Sequence, residues 1–171
     1  MKTFFYTTLK TPIKLFLIIS SEKGLVKIVF IDTKESLPLR SLKNEYPDIT
    51  LVEDKSKNRD ASDQLKEYFA GTRKKFTLPL DIQGTPFQKR VWAAVVQIPY
   101  GQTCSYGEIA SRIGKPGSAR AVGMANHNNP VPIVIPCHRI VGANGSLTGY
   151  GAGIPIKEKL LNLEKENIGS N

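Results

Sequence analysis

The stretch Ser105-Tyr106-Gly107-Glu108-Ile109-Ala110-Ser111-Arg112-Ile113-Gly114-Lys115-Pro116-Gly117-Ser118-Ala119-Arg120-Ala121-Val122-Gly123-Met124-Ala125 decides how the second half of this 171-residue chain folds. Ser105 with Glu108 three residues on is a capping-box signature for a helix start. Tyr106, Ile109, Ala110 and Ile113 line that helix at helical spacing. Gly114-Lys115-Pro116-Gly117 breaks it, and a second helix is predicted from Ser118 through Ala119, Arg120, Ala121, Val122, Met124 and Ala125. Two short helices about a tight glycine-containing turn read as a helix-turn-helix, or as an ordinary αα-corner inside a core. The second helix carries small residues and one arginine, which suits close approach to a nucleic acid.

Upstream, Thr85-Pro86 supplies an N-cap and a first-turn proline. Phe87, Val91, Val95 and Ile98 follow at helical spacing, with Trp92 at the edge of that face, and Pro99-Tyr100-Gly101 stops the helix. The start of the chain reads differently. Thr3 to Thr8, Ile13 to Ser20 and Leu25 to Ile31 are rich in β-branched and aromatic residues and are separated by turn signals, which predicts a β-meander. The polar stretch Asp32 to Asn58 is expected to be a loop or short helix. Asp60 or Ser62 is expected to cap a helix through Leu65, Tyr68 and Phe69 that Gly71 ends. Phe76 to Leu80 is expected as a strand or linker. The last helix is predicted over Pro155 to Glu166, with Ile156, Leu160 and Leu163 on one stripe. The fold class is therefore α+β: a small N-terminal α/β unit with an antiparallel sheet over 1–84, a linker at about 71–84, and a mainly helical unit with the helix-turn-helix over 85–171.

The formal net charge is +9, and 40% of the residues are hydrophobic. The apolar run Leu15 to Ile19 is far too short to span a bilayer, and no small-residue cleavage site follows it, so a membrane anchor and a signal peptide are both disfavoured. A cytoplasmic protein with reduced Cys104 and Cys137 is expected. Residues 1–84 carry 15 Lys and Arg against 11 Asp and Glu, whereas Ile109 to Lys157 holds no acidic residue at all. Arg112, Lys115, Arg120, Arg139 and Lys157 are the cations of that segment. Such a segment suits a face pressed against phosphates, or else a buried stretch rich in Gly and Pro where charge is scarce.

Cys137 and His138 put a nucleophile beside a proton acceptor in a chain with two cysteines and two histidines. A thiol is mostly protonated at neutral pH, so a reactive cysteine needs a base or a positive field. If the pair lies on a strand, the two side chains point to opposite faces. The longer run Asn129-Pro130-Val131-Pro132-Ile133-Val134-Ile135-Pro136-Cys137-His138-Arg139-Ile140-Val141 resembles the active-site segment of the O6-alkylguanine-DNA alkyltransferases, the methylated-DNA-protein-cysteine methyltransferases. The resemblance covers 85–166, and 1–84 is compatible with it.

That resemblance implies direct-reversal DNA repair in a single turnover. An alkyl group moves irreversibly from O6 of guanine in double-stranded DNA to Cys137, with the protein acting as a monomer. It implies that His138 is linked to Cys137 through a water and oriented by Glu164, that Tyr106 gives a proton at N3 of the leaving guanine, and that Asn129 supports the turn bearing the nucleophile. Arg120 is the residue implied to occupy the gap left by the flipped base, with Ser118, Ala119 and Ala121 allowing a close approach in the minor groove. The loop Gly142 to Gly153 is the implied pocket, in which Tyr150 stacks on the base, Gly151 offers its backbone N–H to O6, and the carbonyls of Cys137 and Ile140 accept from the guanine amino group. Some members hold zinc through Cys and His of the first domain. This chain has neither residue there, so no metal and no cofactor are expected.

Two other functions compete. A lesion sensor would recognise alkylguanine without transfer, but the presence of Cys137 argues against it. A metal-stabilised regulator could use Cys104, His127, Cys137 and His138, although their spacing lacks the paired form of zinc sites. A cysteine hydrolase is disfavoured because no further motif of that class accompanies the pair.

Overall fold

The computed structural model describes residues 1–169. Ser170 and Asn171, the end of the second unit as read from the sequence, lie outside the described residues. Two compact units divide the chain, one over Met1–Gln83 and one from Gly84 onward. Among the described residues no helix is long and apolar enough to cross a membrane.

The first unit is built on the strands β1 (Lys2–Lys10), β2 (Leu15–Ser20) and β3 (Leu25–Ile31), followed by α1 (Leu39–Glu45), β4 (Ile49–Glu53) and α2 (Arg59–Phe69). β1, β2 and β3 form the antiparallel meander, with Phe5 opposite Ser20 and Leu17 opposite Val29. The sheet order is β3-β2-β1-β4, and β4 runs parallel to β1. The stretch read as loop or short helix thus contains both a helix and a strand. β4 escaped the sequence reading because it is only five residues long and half-buried at a sheet edge, so its alternation is short and weak.

β2 explains the apolar run Leu15 to Ile19. It is an interior strand buried on both faces, which favours continuous apolar sequence over alternation. On one face Leu17 and Ile19 join Phe4, Val26, Ile31 and Leu42 of α1 in a single cluster. On the other, Phe16 stacks on Phe30 and meets Phe69 of α2 edge-on.

The cap of α2 is Asn58, not Asp60 or Ser62. Asn58 is buried because its carboxamide is already committed: the Ser20 hydroxyl donates to its Oδ1 at 2.5 Å, and its Nδ2 donates to the Asp54 carbonyl at 3.0 Å. Gly71, at φ 78°, ends the helix as the sequence predicts. Phe76 to Leu80 forms no regular strand and touches the sheet through one bridge, Leu25 to Leu80.

The second unit contains α3 (Pro86–Val96), β5 (Cys104–Ser105), α4 (Tyr106–Arg112), α5 (Ala119–His127), β6 (Ile140–Val141) and α6 (Ile154–Glu166). Thr85 and Gln88 make a reciprocal capping box on α3, and Ser105 and Glu108 make the same device on α4. Gly114 and Gly117, both at positive φ, turn the chain between α4 and α5. α3, α4 and α5 pack on one another through Val91, Val95, Ile109 and Val122, all fully buried. Trp92 is core, and its Nε1 donates to the Ala125 carbonyl at 2.8 Å.

The parallel pairing of β5 with β6 sets Cys104 against Ile140 and Ser105 against Val141. This two-residue ladder carries the start of α4, and so Tyr106, to the segment that follows Cys137. Nothing in the sequence pattern marks it.

Gly24 lies in the β2–β3 turn at φ 154°, where a Cβ would stand 2.4 Å from the Pro79 carbonyl oxygen. That carbonyl accepts from Leu25 N–H at 2.8 Å. Gly24→Ala is therefore expected to destabilise the protein by more than about 1 kcal/mol, read as a lower urea midpoint at an unchanged slope.

Candidate active site

Cys137 does not lie on a strand. Cys137, His138 and Arg139 form a 3₁₀ turn that leads directly into β6, and all three are buried. The turn is reached through Val131 to Pro136, where Ile133 takes φ 74°, a conformation a β-branched residue adopts only under constraint. Asn129 supplies that constraint. Its Nδ2 donates to the Ile135 carbonyl at 2.8 Å and its Oδ1 accepts from Val131 N–H at 3.0 Å, so one carboxamide ties both ends of the strained segment. Ile133 itself is 1% exposed, and its burial helps to hold the strained backbone.

Glu164 is fully buried on α6, as are His138 and Lys157. The inward stripe of α6 is Ile156, Leu160 and Glu164, joined by Lys157, whereas Leu163 is only half-buried. His138 Nε2 lies 2.7 Å from Glu164 Oε1. Arg139 approaches the same carboxylate through Nε at 2.9 Å from Oε2 and through a terminal nitrogen at 2.9 Å from Oε1. Its other terminal nitrogen donates to the Ile98 carbonyl at 2.7 Å, and Gly101 N–H donates to Glu164 Oε2 at 3.2 Å.

Burial alone would raise the Glu164 carboxyl. The His138 contact and the Arg139 guanidinium outweigh it and hold the group down at about 2. For His138, burial lowers the imidazole below its ordinary value, the Glu164 hydrogen bond pulls the other way, and the Arg139 and Lys157 charges add to the lowering. At neutral pH the cluster is thus a carboxylate, a guanidinium and a neutral imidazole. With Nε2–H donated to the carboxylate, the imidazole lone pair is at Nδ1.

Burial pushes the Cys137 thiol up, opposed by hydrogen bonding from Asn129 and Tyr150 and by the Lys157 charge. The Tyr150 hydroxyl is buried and turned toward this thiol. Thr148, in the same loop, accepts from two side chains at once: the Tyr106 hydroxyl at 3.1 Å and Lys157 Nζ at 3.0 Å. Gly151 packs beside His127 at the end of α5. The structure thus gathers Cys137, His138, Glu164, Tyr106, Asn129, Ile140, Tyr150 and Gly151 around one turn and one loop. Arg120 and Ala121 stand exposed on α5, with Ser118 and Ala119 partly covered.

Three residues of this neighbourhood were missed or misread in the sequence. Of the cations in the carboxylate-free segment, which suits either a phosphate-facing surface or a buried stretch, Arg139 and Lys157 are 5% and 0% exposed and bind Glu164 and Thr148, while Arg112, Lys115 and Arg120 are exposed. The missing carboxylates of the segment are therefore partly an effect of burial. Asn126, 5% exposed, donates through Nδ2 to the Cys137 carbonyl at 3.2 Å. It sits on a helix face that reads simply as interior, so its type alone could have flagged it. Cys104 and Cys137 are free thiols. Among the described residues no three His, Cys, Asp or Glu side chains gather as a metal site, so Cys104, His127, Cys137 and His138 are not brought together as ligands.

A two-unit α+β chain with a helix-turn-helix and a buried Cys-His-Glu cluster is the class that this fold and site define. Residues 86–166 match the DNA-binding domain, and residues 4–82 the ribonuclease-like domain, of 6-O-methylguanine DNA methyltransferase. The methylated-DNA--protein-cysteine methyltransferase of Methanosarcina mazei is 46% identical, over 96% of this chain and 99% of that protein. The crystal structure of Mycobacterium tuberculosis O6-methylguanine methyltransferase superposes with a TM-score of 0.85 at 43% identity, over 98% of this chain and 96% of that one. The same organism's protein in complex with DNA gives 0.79 at 41% identity, over 96% and 94%. The chain belongs to the O6-methylguanine DNA methyltransferase family.

The buried cluster makes stability depend on pH with a defined sign. Glu164 is lowered from 4.5 to about 2, so its contribution is full above 4.5 and is lost as pH falls toward 2. His138 is also lowered, so its contribution begins to fall as pH drops below its ordinary 6.5. Denaturation followed from pH 7 to pH 2 is expected to show both losses. Glu164→Gln should remove the lower one and, by leaving Arg139 buried without its counter-ion, cost about 3–5 kcal/mol at pH 7.

Proposed function

We propose that Cys137 is the acceptor in the reaction of this family, the irreversible transfer of an alkyl group from O6-alkylguanine in DNA to a cysteine of the protein itself. The observation that carries this reading is the His138–Glu164 bond of 2.7 Å in a fully buried site next to the thiol. Neutral His138 takes the thiol proton, through a bridging water, and the imidazolium so formed is stabilised by Glu164. The Cys137 sulfur then attacks the alkyl carbon. A C–S bond forms, the C–O6 bond breaks, and its electron pair returns to the ring.

Guanine leaves far more readily as a neutral molecule than as an anion, and Tyr106 supplies the proton at N3. The product thioether has no easy leaving path, so each protein molecule acts once. Asn129 holds the nucleophile's turn. Tyr150, the Gly151 N–H and the Ile140 carbonyl border the base.

The alkyl group is inaccessible inside stacked DNA, so the base must be flipped out. Exposed Arg120 fills the vacated space from the minor groove, and the small side chains of Ser118, Ala119 and Ala121 let α5 approach the backbone. This assigns both DNA binding and chemistry to the unit over 85–171. Action as a monomer belongs to the same reading, and two free thiols suit the reducing cytoplasm.

Incubation with a duplex oligonucleotide bearing one O6-methylguanine is expected to add the mass of one methylene to the Cys137 peptide, stoichiometrically and without turnover. Binding without mass gain would instead mean a lesion sensor. Cys137→Ala should abolish the gain and keep DNA binding. Arg120→Ala should slow repair of duplex by about tenfold or more, the scale of a flipping cost, and leave reaction with the free alkylated base within about twofold.

A further inference from the structure

One face of α2 in the first unit carries a row of cations that nothing neutralises. Arg59, Ser62, Asp63, Lys66 and Phe69 recur at helical spacing, which sets them on one side of that helix. They border two hollows. One, of about 430 Å³, is lined by Lys55, Ser56, Arg59, Ser62, Asp63 and Lys66. The other, of about 260 Å³, shares Lys66 and is bordered as well by Lys10, Pro12 and Phe69. Together they make a groove that lies entirely within the first unit.

Lys10, Lys55, Arg59 and Lys66 are exposed, and none of them makes an ion pair or a side-chain hydrogen bond among the described residues. Elsewhere in this unit Lys14 pairs with Asp32, Lys27 with Glu45, Lys57 with Glu22 and Arg73 with Glu67. Asp63 is the one carboxylate in the lining of the groove. It lies about one helical turn from both Arg59 and Lys66, yet it pairs with neither. Four cations therefore face one anion. Like charges gathered in this way repel one another, and an anionic partner removes the repulsion.

A single small ion would meet only part of the row. Arg59 and Lys66 are seven residues apart, about 10 Å along the helix, which matches about three nucleotides of one DNA strand along its axis. The family to which the chain belongs acts on DNA, and the net charge of +9 favours a polyanion. We infer that this groove is a second DNA contact, in which Lys10, Lys55, Arg59 and Lys66 hold the phosphates of a strand. It adds to the contact assigned to α5 and carries no sequence preference, because phosphates are the same at every base. The identity of the polyanion rests on the DNA-repair reading above.

The test follows binding of the full chain to an undamaged, fluorescein-labelled duplex by anisotropy over a salt series. Each phosphate contact contributes about 0.9 to the slope of log affinity against log salt. Arg59→Gln with Lys66→Gln is therefore expected to flatten the slope by about 1.8 and to weaken binding by about tenfold or more. Lys10→Gln with Lys55→Gln is expected to do the same and leaves α2 untouched, so the outcome does not hang on the folding of that helix. Lys14→Gln with Lys27→Gln removes the same net charge from paired positions and is expected to change the slope by less than about 0.5. An unchanged slope in either groove variant, or an equal change in the paired-site control, would overturn the proposal. An unchanged DNA slope with lost binding to polyglutamate would overturn it in favour of an acidic peptide. Failure of wild type to bind the duplex at all would sink the DNA-repair reading itself, which keeps the two failures distinct.

Discussion

The buried Glu164 carboxylate is the constraint on which the second unit is organised. It accepts from His138, from Arg139 and from the Gly101 backbone, and so joins α6, the 3₁₀ turn bearing Cys137 and the segment after α3. A lone carboxylate in that position would be neutral, because removal from water disfavours the charged form. Arg139 makes the charged form tenable, and the charged form makes Nε2–H the donating end of His138. The tautomer of the proposed base is therefore set by an arginine that never needs to touch the substrate.

The same cluster illustrates why a buried ion pair is better read as a device for specificity than as a source of stability. Desolvating a carboxylate and a guanidinium costs roughly what their attraction returns, so an apolar pair of similar volume could serve the core as well. It could not orient an imidazole. Strain at Ile133 belongs to the same logic: the backbone that delivers Cys137 adopts an unfavourable φ, and Asn129 holds both of its ends. The surrounding packing of Val131, Ile133 and Ile135, all buried, offsets that cost.

Much of the architecture was legible because it rests on local signals. The capping boxes at Thr85 and Ser105, the glycines at 71, 114 and 117, and the three strands of the meander all appear where residue type and spacing put them. β4 and the β5–β6 ladder were not legible. Five half-buried residues and two paired residues carry too little pattern, and their partners lie far away in sequence. Asn58 displaced Asp60 and Ser62 as the cap of α2 because a buried bond to Ser20, 38 residues away, fixes it there.

The sequence by itself determined two short helices about a glycine turn and set Cys137 beside His138, because capping chemistry, glycine placement and a short motif are encoded within a few neighbouring positions, whereas Glu164 entered as the histidine's partner only through the family resemblance. Only the tertiary structure decided what each charge was for. Arg139 and Lys157 look like surface cations in a carboxylate-free segment, yet both are buried, one on Glu164 and the other on the Thr148 carbonyl. Asn126 looks like an interior helix residue, yet it occupies a lone pair of the Cys137 carbonyl. Burial and hydrogen-bond partnership are properties of the packed chain, and residue type constrains them only weakly until the distant partners are in place.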